Sequence, residues 1–105
     1  MSTAIFEALA DPVRRDLILD LAEHGPRTAT EISKGYPISR QGLLKHLGKL
    51  ERARLVSVRK KGRGKFYFLT PEPLSEIDIW IKKIEAVWDK RLNRLKDLLE
   101  NDAWK

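Results

Sequence analysis

Apolar positions recur along this chain with two different periods, and the changes of period divide it into elements. Residues 3–10 place Ile5, Phe6 and Leu9 on one face of a short helix. Asp11-Pro12 restarts the chain. Aspartate can cap a helix, and proline suits the first helical position, where an N–H would lack a partner anyway. A second helix then runs to about His24 on Val13, Leu17, Ile18 and Leu21, and Gly25-Pro26 ends it. Thr28-Ala29-Thr30-Glu31 has capping-box spacing and opens a third, short helix containing Ile32, stopped by Gly35-Tyr36-Pro37. Ser39 caps a fourth helix from Arg40 to about Arg54, with Leu43, Leu47 and Leu50 on its inner face.

The period then falls to two. Leu55–Arg59 and Lys65–Leu69 alternate as strands, and Lys60-Lys61-Gly62-Arg63-Gly64 joins them into a hairpin. After Pro71 and Pro73 the helical period returns from Leu74 to Leu99, a rod of about 40 Å. Its stripe of Ile77, Trp80, Ile81, Ile84, Val87, Trp88, Leu92, Leu95, Leu98 and Leu99 is more than one face of so small a domain can cover. The expected fold is mostly α with a small β-hairpin, in the order α-α-α-α-β-β-α. It forms a single domain over residues 1–105. Residues 1–10 and 74–101 are expected to be dimerisation helices, with Ile5, Phe6, Leu9, Ile77, Trp80, Ile81, Ile84, Trp88, Leu92 and Leu95 meeting a second copy.

Composition narrows the functional classes. Of the 105 residues 42% are hydrophobic, enough for one modest core. No apolar run approaches the roughly 18 residues of a membrane span, and the opening residues lack the basic-then-apolar order of a signal peptide. The absence of cysteine removes disulfides and thiolate metal sites and fits a cytoplasmic protein. No Gly-rich phosphate loop and no histidine paired with a nucleophile is visible, so an enzyme is the poorest reading and no cofactor is expected.

The net charge of +6 is concentrated rather than spread. Residues 25–70 hold 12 Lys/Arg against 2 Asp/Glu, while residues 1–24 hold 2 against 5 and residues 71–105 hold 7 against 8. A positive middle between two mildly acidic ends is the footprint of a phosphate binder. The order helix, short turn, helix, basic hairpin then has a physical meaning. It is a winged helix-turn-helix, whose second motif helix enters the DNA major groove.

With its leucines turned inward, the fourth helix presents Arg40, Gln41, Leu44 and Lys45 for base readout. Arginine pairs bidentately with guanine and glutamine with adenine. Leu44 could meet a thymine methyl. Phosphate contacts are expected from Thr30, Ser39, His46, Lys49, Arg59, Lys60, Lys61, Arg63 and Lys65. Five cations within seven residues of hairpin exceed what protection of a sheet edge requires. The rival from another class is a winged-helix module that docks onto protein without reading DNA.

Ala8-Leu9-Ala10-Asp11-Pro12-Val13-Arg14-Arg15-Asp16-Leu17-Ile18-Leu19 resembles the opening of the arsenical-repressor-like (ArsR/SmtB) regulators. Ser39-Arg40-Gln41-Gly42-Leu43-Leu44-Lys45-His46-Leu47, followed by Leu50-Glu51 and Leu55-Val56, resembles their recognition segment. The resemblance implies a cytoplasmic repressor, dimeric through its first and last helices, that binds a near-palindromic operator in double-stranded DNA and releases it on a signal. Two departures qualify it. The cysteine pair of the metal-sensing members is replaced by Glu31-Ile32-Ser33-Lys34, and the last helix has no histidine. The chain's two histidines, His24 and His46, stand apart. No metal site is expected, and the effector is expected to be something other than a metal.

Overall fold

A computed structural model describes residues 3–100. The elements are α1 (Thr3–Leu9), α2 (Pro12–His24), β1 (Arg27–Thr28), α3 (Ala29–Ser33), α4 (Arg40–Arg52), β2 (Val56–Lys61), β3 (Gly64–Leu69) and α5 (Leu74–Glu100). They form two units that divide after Leu74. Residues 1, 2 and 101 of the expected dimerisation segments lie outside the described residues.

The first unit is a winged helix with one strand more than expected. β1 pairs antiparallel with β3, which pairs antiparallel with β2, giving a three-stranded sheet in the order β1-β3-β2. Two residues are too few to show an alternating pattern, so only the tertiary pairing Arg27↔Tyr67 and Thr28↔Phe66 reveals β1. Leu17, Leu21, Ile32, Leu43, Leu47, Leu50, Leu55 and Val56 close the core, each less than 2% exposed or nearly so. The expected leucine faces of α2 and α4 are therefore the buried ones.

The starts of α2, α3 and α4 and the end of α4 each have an identifiable cause. Asp11 accepts from the backbone N–H of Val13 (2.8 Å) and Arg14 (3.3 Å), and Pro12 follows it at the first helical position. Thr28 and Glu31 form a complete capping box on α3. Ser39 caps α4 through the N–H of Gly42 at 3.0 Å. At the far end of α4, the Leu55 N–H reaches the Leu50 carbonyl and the Arg54 N–H that of Glu51, both at 3.0 Å. This is a Schellman closure, with buried Leu50 and Leu55 as its apolar pair. Arg54 takes the left-handed conformation (φ 63°) that glycine usually supplies there.

Among the described residues, Arg14 is the one charged side chain inside the core. It replaces Val13 on the buried stripe of α2 and is only 8% exposed. Its Nε donates to the Ala8 carbonyl (2.5 Å) and its Nη2 to that of Glu7 (3.0 Å), while Arg15 Nη1 donates to Leu9 (2.8 Å). Two arginines thus satisfy the carbonyls left open at the end of α1, where positive charge is also favoured by the helix dipole. With α1 held on α2 and α4, Ile5 is 3% exposed. The expectation that Ile5 faces a second copy is corrected: its apolar surface is already covered inside its own unit. Phe6 remains 40% exposed and Leu9 half-buried.

The second unit is α5, one helix of 27 residues with none buried. Trp80 is 43% exposed, Ile84 47%, Trp88 58% and Leu95 51%. Ile77, Trp88 and Leu99 recur at eleven-residue intervals, as do Ile81 with Leu92 and Ile84 with Leu95. An eleven-residue repeat is 3.67 residues per turn, close to that of a straight helix, so the stripe barely drifts around the axis.

Candidate nucleic-acid interface

α3, the segment 34–39 and α4 make the helix-turn-helix, and a polar network holds its turn. Asp20 on α2 accepts from Arg27 Nη1 at 2.8 Å and from the Tyr36 hydroxyl at 3.4 Å, and pairs with His24 at 2.7 Å. Arg27 also donates to the Glu31 carbonyl at 3.0 Å, tying β1 to α3. Desolvation, reinforced by Asp20 and Asp16, pushes the Tyr36 phenol above its ordinary range, so it stays a donor at neutral pH. Among the described residues, Tyr36 is the side chain that anchors the turn from within.

Burial of Leu43, Leu47 and Leu50 turns the opposite side of α4 to solvent. Arg40, Gln41, Leu44 and Lys45 are exposed there together, with Leu44 at 39%. Arg40 is already positioned, because its Nη1 donates to Thr30 Oγ1 at 2.8 Å. Thr30 stands inside the first turn of α3, not at its start; Thr28 is the cap. The Thr30 hydroxyl joins it to the interface by holding Arg40.

Lys49 lies round the helix toward α1 and lines a groove with Ala4, Glu7, Arg14 and Arg52. His46 turns further inward. It is half-buried, and its Nδ1 lies 3.3 Å from Arg14 Nη1. Arginine can only donate, so any hydrogen bond between them has Nδ1 as its acceptor. Its contact is Arg14, which links the end of α1 to the recognition helix.

Two features of this face escaped the sequence pattern. Arg52 shares the outward side of α4 beyond Lys45, with its Nε on the Gly48 carbonyl at 3.2 Å. Gly48 leaves the middle of that side without a side chain, although a Cβ there would meet nothing closer than 3.6 Å. The arginine was legible from helical spacing carried one turn further.

The wing is tighter than its sequence suggested. β2 and β3 stay paired to Lys61↔Gly64, which leaves Gly62-Arg63 alone at the tip. Gly62 has φ 61° and Arg63 does not share the positive sign, the pattern of a type II′ hairpin turn. Arg63 is thus the outermost cation. Arg59 sits 5.3 Å from the ring centre of Phe68, and Lys65 sits 5.6 Å from that of Tyr67. Cation–π contact holds Arg59 nearer the base of the wing and Lys65 beside its tip, where Lys60, Lys61 and Arg63 extend it.

Comparison with known proteins agrees with this geometry. The helix-turn-helix domain family matches residues 9–59. The HTH-type transcriptional regulator Rv2034 of Mycobacterium tuberculosis is 32% identical over 93% of this chain and 88% of its own length. The transcriptional repressor SdpR of Bacillus subtilis is 35% identical over 73% of this chain and 84% of its own. The solved structure of an ArsR-like transcriptional regulator from Rhodococcus sp. RHA1 is 31% identical, covers 93% of this chain and 89% of that one, and superposes with a TM-score of 0.78. The chain belongs to the ArsR-like family of winged helix-turn-helix regulators.

It is accordingly a DNA-binding transcription regulator. Within this ArsR-like chain the two motifs divide their work. Asp11, Arg14 and Arg15 of the first close helix ends, whereas Arg40, Gln41, Leu44 and Lys45 of the second are left outward on α4. Among the described residues no three His, Asp or Glu side chains gather where they could hold a metal ion. None of the described helices is long and apolar enough to cross a membrane.

Proposed function

We propose that this chain is a cytoplasmic repressor that binds a near-palindromic operator as a homodimer. The observation that carries the reading is the outward face of α4, set beside a wing of cations over a fully closed core. Gln41, Lys45 and the Thr30-held Arg40 read base edges, and Leu44 offers an apolar contact for a thymine methyl. Ser39, Lys49, Lys60, Lys61 and Arg63 hold phosphates, which set register without reading sequence. Two-fold symmetry through α5 and the exposed side of α1 presents two such faces to half-sites about one helical turn apart. The chain performs no catalysis in this reading. Its releasing signal is not a soft metal, because it has no thiolate to offer one.

Substitution with salt titration tests the assignment. Arg40→Ala or Gln41→Ala costs about 1–3 kcal/mol per half-site on the cognate operator and much less on random duplex. Arg63→Ala weakens both alike, and losing two phosphate contacts per dimer flattens the log-affinity against log-salt slope by about 1.8. Sequence preference lost through Arg63 and kept without Arg40 and Gln41 would reassign readout to the wing. Affinity for duplex that does not change with salt would favour the protein-docking module instead.

A further inference from the structure

One concave feature of the first unit shares cations of its rim, but not its apolar floor, with the DNA reading. An open groove of about 660 Å³ lies on the outer face of the wing, lined by Pro26, Arg59, Lys60, Lys61, Phe66 and Phe68. The strand register builds it. Arg59 is paired with Phe66 and Ser57 with Phe68, and cross-strand partners share a face, so two phenylalanines and an arginine emerge together on the side away from buried Tyr67. β1 brings Pro26 alongside Phe68 through its pairing with β3.

The floor is fitted, not incidental. A Cβ on Gly64 would come within 2.7 Å of the Phe66 ring, so the ring keeps its present place only because residue 64 is glycine. At the other end the Ser57 and Thr70 hydroxyls bond each other at 2.8 Å. Among the described residues lining the groove, three carry positive charge and none carries a carboxylate. An apolar floor under a purely cationic rim, within the volume range of small-molecule sites, fits a ligand with an apolar body and one anionic head.

We propose that this groove binds small organic carboxylates with an aromatic or acyl body, the ring or chain on Phe66 and Phe68 and the carboxylate on Arg59 and Lys61. Resting on the DNA-binding reading above, the bound anion neutralises wing cations that otherwise meet phosphate, so ligand and duplex compete.

The ligand step is tested without DNA. ¹⁵N-labelled full-length chain is titrated with 2-naphthoate, decanoate and, as a neutral control, 2-naphthalenemethanol. Saturable amide shifts confined to residues 27–28, 57–61 and 64–68 are expected, with a Kd of about 0.1–1 mM for so open a site. The alcohol should bind about tenfold more weakly, and Arg59→Gln and Phe68→Ala should each weaken carboxylate binding about tenfold. Arg59 is exposed, so its variant stays informative if Phe68→Ala unfolds. Binding of naphthoate alone or decanoate alone identifies which body the floor accepts. Shifts centred on the Trp80 and Trp88 indoles, equal binding of the alcohol, or unchanged binding in Arg59→Gln would overturn the site.

Competition is then read by anisotropy on a labelled random duplex. Carboxylate at ten times its Kd should weaken duplex binding about tenfold per wing in the parent chain. Unchanged duplex affinity with the groove occupied would refute the coupling. A chain that binds no duplex at all would refute the DNA reading while leaving the titration to decide the groove.

Discussion

α4 and α5 carry apolar stripes of the same helical kind, yet they end in opposite states. Leu43, Leu47 and Leu50 of α4 are each 0% exposed, whereas Ile84, Trp88 and Leu95 of α5 are 47%, 58% and 51% exposed. The first stripe is three leucines wide, enough to fill one side of a small core. The second uses ten large residues, continues at eleven-residue intervals, and none of its residues is buried. The contrast teaches that a stripe announces an apolar face without naming what covers it. α4 is finished by its own unit, and its remaining side is free to be polar and cationic. α5 is finished, in the reading proposed here, by another copy of itself.

The largest test of this contrast places charge into the α5 stripe. Ile84→Glu with Trp88→Glu should abolish association, an effect of several kcal/mol given about 1.5–3 kcal/mol for each large side chain buried. Sedimentation at micromolar concentration should show monomer, or unfolded chain, in place of dimer. A parent protein that sediments as a monomer under the same conditions would refute the α5 interface outright.

A milder pair separates the two kinds of burial. Leu47→Ala should cost about 2–5 kcal/mol because it opens a cavity in a closed core. Leu92→Ala should cost less, and its cost should grow as the protein is diluted, since association shifts stability by mass action. Urea unfolding at two protein concentrations distinguishes them. Equal costs with equal concentration dependence would mean that the two stripes are covered in the same way.

Acid sharpens the comparison through the caps of the first unit. The Thr28 N–H and hydroxyl hold the Glu31 carboxylate below its ordinary pKa. Desolvation raises Asp11, but the N–H groups of Arg14 and Val13 outweigh it and leave it lowered as well. A lowered folded pKa stabilises the fold above the ordinary carboxylate range, and that stability is lost as pH falls through the folded value. Stability should therefore decline from about pH 4.5 downward, and Glu31→Gln should flatten the decline. Thr28→Ala, which removes the reciprocal cap, should cost about 1 kcal/mol at neutral pH. An acid limb unchanged by Glu31→Gln would show that the capping box contributes nothing measurable.

The smallest expected effect concerns the free side of α4. Gly48→Ala should stabilise the fold by about 0.5–1 kcal/mol, since alanine restricts the unfolded chain and nothing obstructs its methyl. It should weaken operator binding at the same time, because Gly48 lies between Lys45 and Arg52 on the groove-facing side. Stabilisation without loss of DNA affinity would mean that DNA does not approach this part of α4.

Most element types were legible from local chemistry. Asp11-Pro12, Thr28 with Glu31, Ser39 and Gly25 mark their helix ends because caps are short-range interactions. The leucines of α2 and α4 mark their buried faces because helical period is written in the sequence. The helix-turn-helix, the wing and the outward positions of Arg40, Gln41, Leu44 and Lys45 followed from that. What remained illegible depended on partners distant in the chain. β1 exists only through its pairing with β3. Arg14 is core because the open carbonyls of α1 come to it, and a sequence pattern that reads arginine as surface cannot anticipate that. Ile5 became core, and His46 met Arg14, for the same reason: α1, α2 and α4 converge there.

The groove on the wing arose likewise from strand register, which decides that Arg59, Phe66 and Phe68 share one face. Sequence by itself determined which segments other than β1 are helix or strand and where the positive charge lies, since both depend on near neighbours. Tertiary structure decided which apolar and charged side chains are covered, because covering requires a partner surface that no local pattern contains.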